Sequence, residues 1–592
     1  MNLTKRAILL SEGNAESEHS RLAGFLDFFG VPWEYSETAT FLDLHQDDQN
    51  SVVFGSVFAV STVVAQARKS GRPSAQDSTF YAYAGANRKE SERALQSLTG
   101  NDDIFLREAP GGTLSLSVSR DHPELTGPMG GLEISSQLRG EDSILVGGSS
   151  AELALTSFIT AKGAPVFVRF QIDAVPIFFS ASSYLLDIDQ AVGSGYYDVK
   201  EHICSVVPLV MFILHMFRDI AWQPQELGAC LIIDDPLLRK SYGSCDFRTL
   251  RGLMQRYGFT TNIAFIPWNW RRTSRSAAKF FRQEQGPFSV SIHGCDHIAA
   301  EFGATSPFVL NKRAKLAQSR MRSHEARTGV RHDSVMVFPQ GVFSSASTEA
   351  LKRNGYVAAV NTELVPVDSD GARTRIRDVW DVAIMRYADF PIFTRRYASH
   401  GLENFAFDLL LGKPCLIVTH HDFFSDNCER LIELIKSLQS LPCTLSWRPL
   451  GEVIRRACRR RRGDSGIFEI EMYGSELLIG NPLEKEVSVH VTKRENGAEF
   501  VTDVRCDLES ISWTRDADHL ACETRVGPTE EKYFQIFYRE PSEDGQPGQS
   551  LRFELSVALR RVLSEFRDEY LSKGRFLSNT AANIKQLLSQ AN

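Results

Sequence analysis

The stretch Leu231-Ile-Ile-Asp-Asp-Pro236 decides the fold of the central part of this chain, because it predicts an apolar strand that ends in two adjacent carboxylates. Successive side chains of a strand point to opposite sides, so Asp234 and Asp235 face different surroundings. One of them could bind a metal ion while the other acts as a base. The alternative is a solvated strand end or a helix cap, and the pair alone does not separate these interpretations.

Two later apolar strands end in histidines. Phe288–Ile292 runs into His293-Gly-Cys-Asp-His297, and Cys415–Thr419 runs into His420-His421-Asp422. The four-residue spacing in the first of these brings two imidazoles to one side of a turn, and imidazole is a common ligand of zinc-like ions. In parallel α/β folds the carboxyl ends of the strands meet at one rim, where active sites collect. The three strand ends together predict a single site.

The pattern of strands and helices divides the chain into five predicted segments. Strand and helix alternate in the middle of the chain as expected for a parallel sheet, most simply a (β/α) barrel, whose last helix is predicted to run from Pro449 to Arg462. The segments are an α/β domain with a flavodoxin-like or amidotransferase-like sheet (1–200), a helical connector (201–225), the barrel (226–463), a small antiparallel β domain (464–548) and a helical tail (549–592).

Composition limits the class of protein. The net charge of −7 and the pI of about 6.1 give no bulk attraction to nucleic acid. Ten cysteines without a C-x-x-C pair disfavour a zinc ribbon and a disulfide framework, and favour free thiols in the cytoplasm. The apolar runs Val52–Ala67 and Val206–Met216 are shorter than the roughly 20 residues of a membrane span, so both are predicted core elements. We expect a cytoplasmic protein, acting there or at the inner membrane face, without a transmembrane segment; its oligomeric state stays open.

The barrel region resembles the NodB-homology polysaccharide deacetylases, the carbohydrate esterase family 4 group. The resemblance rests on four stretches in the same order as in that family. They are the strand-end pair Ile233-Asp234-Asp235, the His-x-x-x-His spacing of His293-Gly-Cys-Asp-His297, the loop Phe338-Pro-Gln-Gly341 in place of Pro-Tyr-Gly, and the strand end Val418-Thr-His-His-Asp422. The motifs are weak singly and moderately specific together.

This resemblance implies a role for each polar residue of the strand ends. It implies a divalent metal, with zinc the expected ion, on three ligands: Asp235, His293 and His297. Asp234 would act as general base while the metal polarises the carbonyl and the attacking water. His421 would protonate the leaving amine, with His420 as its rival, because either can fill the strand-end position.

The expected substrate is an acylated glycan or glycan precursor, attacked by water at an amide or ester carbonyl. The resemblance implies that the loop of Pro339, Gln340 and Gly341 lines the substrate site. Trp268 and Trp270 follow another predicted strand, where the indoles could stack on sugar rings or simply pack at the rim.

The chain departs from the family pattern at three places. Pro236 replaces the usual Gly, and Gly294 replaces the usual Ser or Thr. Val337-Phe338 stands where the family has an arginine that orients the base, and Arg386 or Arg239 could take over its role. These departures leave the implied metal ligands in place but change the surroundings of the base.

Two other functions remain open from the sequence. The same barrel class hosts glycoside hydrolases, in which Asp234 with Asp296 or Asp422 would form the carboxyl pair. The altered third motif is also compatible with a non-catalytic glycan-binding or scaffold protein. Release of acetate, release of new reducing ends, or binding without turnover would distinguish the three functions.

Overall fold

The structure is a computed structural model of the chain. The residues it describes are 5–11, 16–45, 51–70, 78–139, 142–147, 155–193, 195–284, 286–368, 374–463, 466–516, 518–539 and 551–566. Within these ranges, no helix is both long and apolar enough to cross a membrane. The ten cysteines are free thiols.

The N-terminal part of the chain forms a mixed sheet with helices. Its elements are β1 (Ala7–Ser11), α1 (Glu16–Phe29), β2 (Trp33–Glu37), α2 (Phe41–Leu44), β3 (Val52–Ser56), α3 (Val57–Ser70), β4 (Thr79–Tyr83), α4 (Arg88–Thr99), β5 (Phe105–Glu108), β6 (Thr113–Val118), α5 (Pro123–Thr126), β7 (Glu133–Gln137), β8 (Ser143–Val146), β9 (Thr156–Ala161), β10 (Ala164–Ile172) and β11 (Val175–Ser180). The strand order is β2-β1-β3-β4-β11-β10-β9-β6-β7, parallel from β2 to β11 and antiparallel beyond. A mixed α/β sheet is therefore confirmed, while its flavodoxin-like or amidotransferase-like type stays a prediction.

The apolar helix α6 (Ile203–Met216) connects this sheet to the barrel through the core. The ring of Phe212 lies 5.4 Å from Phe54 and 5.0 Å from both Tyr81 and Phe178, which are residues of the N-terminal sheet. The same apolar cluster continues into the barrel. The segment predicted as a connector thus contributes a buried element, as its uniformly apolar sequence requires.

The middle of the chain alternates short strands and helices. Its elements are β12 (Gln223–Pro224), β13 (Leu227–Asp234), β14 (Ser241–Tyr242), β15 (Cys245–Asp246), α7 (Phe247–Tyr257), β16 (Thr261–Phe265), α8 (Arg275–Gln283), β17 (Phe288–His293), α9 (Pro307–Thr328), β18 (Val335–Val337), α10 (Ser345–Arg353), β19 (Ala358–Asn361), α11 (Ile376–Trp380), β20 (Ile392–Thr394), β21 (Arg396–Tyr397), α12 (Leu402–Leu410), β22 (Cys415–Thr419), α13 (Glu429–Gln439), β23 (Leu445–Trp447) and α14 (Leu450–Arg456). The parallel strands follow the order β20-β19-β18-β17-β16-β13-β22-β21, and β23 also pairs with β13.

The two ends of this strand path nearly close into a ring. β20 ends at Thr394 and β21 begins at Arg396, so a single residue, Arg395, separates the first and last strands of the path. The Arg395 amide donates a hydrogen bond to the carbonyl of Asn361 at 2.9 Å, which holds the break beside β19. The predicted parallel barrel is therefore confirmed as a nearly closed one.

The C-terminal part consists of two sheets and a helix. Its elements are β24 (Cys458–Arg462), β25 (Phe468–Met472), β26 (Glu476–Gly480), β27 (Val487–Arg494), β28 (Val501–Cys506), β29 (Glu509–Ser510), β30 (Thr514–Asp516), β31 (His519–Val526), β32 (Glu531–Tyr538) and α15 (Leu551–Phe566). The sheet orders are β12-β24-β25-β27-β31-β30 and β26-β32-β28-β29, antiparallel except for the β25–β27 pair. The rest of the predicted helical tail, residues 567–592, lies outside the described residues.

The helix predicted from Pro449 to Arg462 is wrong in its second half. α14 ends at Arg456, and the arginine-rich residues that follow form β24. In the β24–β25 register Arg459 faces Glu471 and Arg461 faces Glu469, whose carboxylate lies 2.6 Å from the Arg461 guanidinium. Cross-strand pairing with acidic side chains thus replaces the helix that the local sequence predicts.

Candidate metal and catalytic site

Three of the predicted residues converge at the rim of the barrel. Nε2 of His297 lies 3.0 Å from Oδ1 of Asp235, and Nε2 of His293 lies 3.3 Å from the same oxygen. The three donor atoms all lie within 4.8 Å of one another. Two imidazole nitrogens and one carboxylate oxygen directed at one point form a donor set that suits a divalent transition metal with open coordination positions.

A backbone carbonyl fixes the orientation of one of these imidazoles. Nδ1 of His293 lies 2.9 Å from the carbonyl oxygen of Val337 on β18. A carbonyl only accepts, so Nδ1 carries a proton, and Nε2 is the nitrogen that is directed toward Asp235 and available to a metal, as in known metal-ligating histidines. Burial lowers the pKa of His293, but the Asp234 and Asp235 carboxylates outweigh it and raise the pKa above its usual value.

The backbone at two of the ligands adopts an uncommon conformation. Asp235 has φ of 76° and His297 has φ of 57°, in the left-handed region that non-glycine residues rarely occupy. Such conformations persist where the surrounding structure imposes them, and they cluster at functional sites. For Asp235 the turn after β13 directs the carboxylate toward the two imidazoles.

The glycine at position 294 is required by the packing around the histidine turn. Gly294 has φ of 63°, and a Cβ there would come within 2.5 Å of Glu301 Oε2 and also collide with the ring of Pro339. The departure from the family's Ser or Thr therefore follows from this chain's own turn. The same close contact shows that Pro339 lies beside the histidine turn, residues 293–297.

Glu301, which was not predicted from the sequence, holds the turn from His293 to His297 through hydrogen bonds. Its buried carboxylate accepts hydrogen bonds from the backbone amides of Cys295 at 2.9 Å, Asp296 at 2.7 Å and His297 at 3.1 Å. Burial raises the pKa of Glu301. Cys295, Asp296 and Glu301 also lie close enough together to hold an ion. However, the Glu301 carboxylate already accepts the three backbone hydrogen bonds, and the Asp296 carboxylate forms an ion pair with Arg320 at 2.5 Å. This second cluster is therefore structural.

Replacing Glu301 with glutamine is expected to destabilise the protein and loosen metal binding together. The amide group cannot accept all three N–H bonds, so buried donors lose their partners at a cost of about 1–3 kcal/mol. Urea unfolding and metal titration measure the two effects. Glu349→Gln, which removes an exposed ion pair with Arg353, is the control and should change neither measurement appreciably. Unchanged stability and metal affinity in Glu301→Gln would contradict this role.

The second carboxylate of the strand-end pair is held by an arginine. Asp234 is 3% exposed, and its two oxygens accept hydrogen bonds from Nη1 and Nη2 of Arg395 at 2.7 and 2.8 Å. Burial raises the pKa of Asp234, but Arg395 and then His293 outweigh it and lower the pKa below its usual value. Asp234 is therefore an ionised, oriented carboxylate next to the candidate metal ligands.

The arginine that orients Asp234 is not one that the sequence proposed. Arg386 pairs instead with Asp378 at 3.4 Å, and no hydrogen bond or ion pair joins Arg239 to Asp234. Arg395 reaches the carboxylate from the break between β20 and β21, where regular strand alternation is interrupted. The arginine that orients Asp234 thus comes from the one-residue break between β20 and β21.

The two histidines after β22 occupy different surroundings. The His421 ring lies edge-on to Tyr242 with centroids 5.6 Å apart, and a Cβ on Gly243 would collide with its Nδ1. His420 lies 6.1 Å from the ring of Tyr397, and its charge contributes to lowering the pKa of Asp234. His420 is thus the histidine whose charge acts on Asp234, while His421 packs against the β14–β15 turn; which of the two protonates the leaving group stays a prediction.

The predicted substrate residues lie around the same rim. Pro339, Gln340 and Gly341 form a 3-10 turn after β18, in which exposed Gln340 has φ of 58° and accepts a hydrogen bond from the amide of Ala300 at 3.4 Å. The Trp268 amide donates to the carbonyl of Cys295 at 3.0 Å, which joins the turn after β16 to the histidine turn.

Two arginines cover the tryptophan faces at this rim. The guanidinium of Arg272 lies 5.6 Å from the centroid of the Trp268 ring, and that of Arg271 lies 4.4 Å from the Trp270 ring. Both indoles are half-buried. The two guanidinium groups thus cover part of the indole surface that was predicted to be available for stacking on sugar rings.

The structure does not favour the carboxyl pair of a glycoside hydrolase. Asp296 is 2% exposed and is bound by Arg320 of α9, whereas Asp422 lies exposed in the 3-10 turn after His420. The polar geometry at the rim is that of a metal-ligand cluster beside a single oriented carboxylate.

Comparison with known proteins finds structural similarity for part of the chain. No family model and no curated protein matches the sequence. Solved structures of carbohydrate esterase family 4 domains are similar to about 38% of it. The Xyl-CE4 domain of a multidomain xylanase from the hindgut metagenome of Trinervitermes trinervoides matches 39% of this chain and 90% of its own, at 13% identity and a TM-score of 0.24.

Two further structures of this family match at the same level. A family 4 acetyl xylan esterase from Clostridium thermocellum, solved with a cobalt ion, matches 38% of this chain and 89% of its own, at 14% identity and a TM-score of 0.23. A family 4 carbohydrate esterase from Streptomyces lividans, solved with acetate, matches 38% and 95%, at 13% identity and a TM-score of 0.23. Similarity this distant does not identify an activity, which must be argued from the residues of the site.

Proposed function

We propose that the protein is a metal-dependent hydrolase that removes an acyl group from a glycan or glycan precursor. The observation that supports this proposal is the Asp235, His293 and His297 cluster lying beside the Arg395-bound Asp234 at one rim of the barrel. A metal-ligand cluster and a separate oriented base are what water attack on an amide or ester carbonyl requires.

The donor set fits a divalent cation, for which zinc is our candidate. Asp235 and the two imidazoles supply oxygen and nitrogen donors of the type zinc takes in catalytic sites, and the Val337 carbonyl fixes the His293 tautomer. When bound there, such a cation supplies Lewis-acid polarisation of a carbonyl and lowers the pKa of water.

Asp234 is our candidate for the general base. Its lowered pKa keeps the carboxylate ionised at neutral pH, ready to accept the proton of the attacking water. Arg395 fixes the plane of the carboxylate through two parallel hydrogen bonds, so the remaining lone pairs keep one direction. Buried surroundings exclude competing water from this carboxylate.

His420 is our candidate for the group that protonates the leaving amine or alcohol. It follows β22 directly, at the same rim as Asp234, and histidine is the side chain that most often serves as a general acid. Its charge also acts on Asp234. The base and the acid would thus stand on neighbouring strands, β13 and β22.

Acetate release tests the proposed function directly. Purified protein loaded with zinc or cobalt is incubated with acetylated xylan and with N-acetylated chitooligosaccharides, and free acetate is measured beside new reducing ends. We expect acetate from at least one substrate and its loss in Asp234→Asn, which retains the metal ligands. New reducing ends without acetate would show a glycoside hydrolase instead, and binding without either product would show a non-catalytic protein.

Alanine variants at the two histidines should separate their roles. We expect His420→Ala to lower kcat by about 10²–10⁴-fold, the usual contribution of a general acid. His421→Ala should reduce stability through lost packing on Tyr242 and leave kcat within about threefold, if packing is the role of that ring. A larger loss of kcat in His421→Ala than in His420→Ala would contradict the assignment.

A further inference from the structure

The C-terminal helix α15 turns one polar face toward the protein and an apolar face outward. Val557 and Arg561 are each 3% exposed and Glu565 is 9% exposed, at a spacing of four residues that places them on one face. The exposed large apolar residues of the described part of the helix, on its other side, are Leu555, Leu559 and Val562. A helix that buries an arginine and a glutamate while exposing leucines must have polar partners on the protein.

Glu565 anchors this helix to the rim of the barrel. Both of its oxygens bind the Arg272 guanidinium, with Nη2 to Oε2 at 2.7 Å. Arg272 also donates to Asn269 at 3.2 Å and lies over Trp268, whose amide is bonded to the histidine turn at Cys295. The buried face of α15 is therefore fixed beside the turn that carries His293 and His297.

Arg561 is the buried cation of this face, one helical turn or about 6 Å before Glu565. Its Nε is buried without a hydrogen-bond acceptor. Among the residues that the structure describes, none forms an ion pair or a hydrogen bond with Arg561, although its neighbour Arg560 has a partner. Because Glu565 is held by Arg272 beside the turn that carries His293 and His297, Arg561 lies at the same edge of the barrel rim, on the same buried face of α15.

A buried and unpaired guanidinium next to a cation site is unfavourable unless an anion occupies the space between them. The anion cannot be Asp235, which faces the two imidazoles, or Glu301, which accepts backbone amides. Glu565 neutralises Arg272, so Arg561 and the exposed Arg271 are the cations of this edge that have no carboxylate partner among the described residues. This arrangement favours a negatively charged group on the ligand.

We infer that Arg561 forms an oxyanion subsite beside the metal-ligand cluster, so that the preferred substrate is an acylated sugar that carries a carboxylate or a phosphate. The acyl part of this inference rests on the proposed hydrolase function; the anion part does not. A guanidinium binds either oxyanion through two parallel N–H bonds, which fixes orientation as well as adding affinity. The C-terminal helix would thereby contribute to substrate choice.

Binding of matched monosaccharides to the metal-free full-length chain tests the subsite without catalysis. N-acetylglucosamine is neutral, whereas N-acetylmuramic acid adds a carboxylate and N-acetylglucosamine 6-phosphate adds a phosphate. By calorimetry or ligand-observed NMR, we expect at least one anionic sugar to bind about tenfold tighter than the neutral sugar, an effect typical of one charge-assisted pair. Equal affinities for all three sugars would overturn the inference.

Variants of α15 locate the preference. Arg561→Gln should reduce the anionic-to-neutral ratio to less than about twofold, and Arg561→Lys should keep part of it, because the charge remains while the two parallel N–H bonds are lost. Leu559→Gln, on the exposed face, is the matched control and should keep the wild-type ratio. An anionic-to-neutral affinity ratio that stays at the wild-type value in Arg561→Gln would contradict the assignment. Loss of this ratio in the control Leu559→Gln to the same extent as in Arg561→Lys would also contradict it.

The two proposals can fail separately. An anion preference that depends on Arg561 without acetate release from any substrate would remove the hydrolase function and leave the subsite. Acetate release with no preference between the neutral and anionic sugars would remove the subsite and leave the hydrolase function. The measurements therefore assign a failure to one proposal or the other.

Discussion

Replacing Arg395 with methionine is expected to lower kcat by about 10²–10⁴-fold and to destabilise the protein by about 3–5 kcal/mol. Both effects have one cause, since Asp234 is buried and both of its oxygens are bonded to Arg395. Without the guanidinium, the carboxylate is left in the barrel without its partner. Steady-state kinetics and urea unfolding measure the two losses.

The pH profile distinguishes this positioning role from simple destabilisation. In the wild type Arg395 and His293 hold the pKa of Asp234 below its usual value against the effect of burial. In Arg395→Met burial dominates, the pKa rises, and less of the base is ionised at a given pH, so the acid limb of kcat should move to higher pH. Arg386→Met, which removes only the pairing with Asp378, is the control. An unchanged acid limb in Arg395→Met would contradict the assignment.

Substitution of the metal ligands is the second change with a large expected effect. Asp235→Ala and His293→Ala should each lower bound metal from about one ion per chain to a small fraction, and lower kcat/KM by about 10³-fold or more. Each variant removes one of three donors that converge on one point. Metal analysis of purified protein and the acetate assay measure the two outcomes.

A distant histidine supplies the control for this experiment. His490 lies in the C-terminal sheet opposite Glu523, at 3.2 Å, so His490→Ala should keep both metal and activity. Unchanged metal content in both ligand variants would exclude the ligands assigned here. Loss of metal in His490→Ala would show that the metal is bound elsewhere.

The metal-ligand cluster could be predicted from the sequence because it depends on short-range rules. An apolar run followed directly by a polar pair marks a strand end, and parallel strands bring such ends together. Asp235, His293 and His297 all follow or end such strands. The convergence of the strand ends therefore required only strand positions and a parallel sheet, whereas the choice of these three residues as metal ligands is what the resemblance to the family 4 deacetylases implies.

The groups that orient these residues could not be predicted in the same way. Arg395 lies 161 residues from Asp234 and reaches it only through a one-residue break between two strands. The role of Glu301 depends on the left-handed turn at His297, and that of Arg561 on a helix that follows two further sheets. The order of His420 and His421 was also open, because a strand end fixes position but not which neighbour turns inward.

The most direct test of the metal site is a crystal structure of the zinc-loaded protein with anomalous data at the zinc edge. We predict one anomalous peak at the barrel rim, bound at about 2.0–2.2 Å by a carboxylate oxygen of Asp235 and by Nε2 of His293 and His297. A zinc ion bound at other residues, or no ordered zinc at these three atoms in protein that contains the metal, would contradict the proposed function.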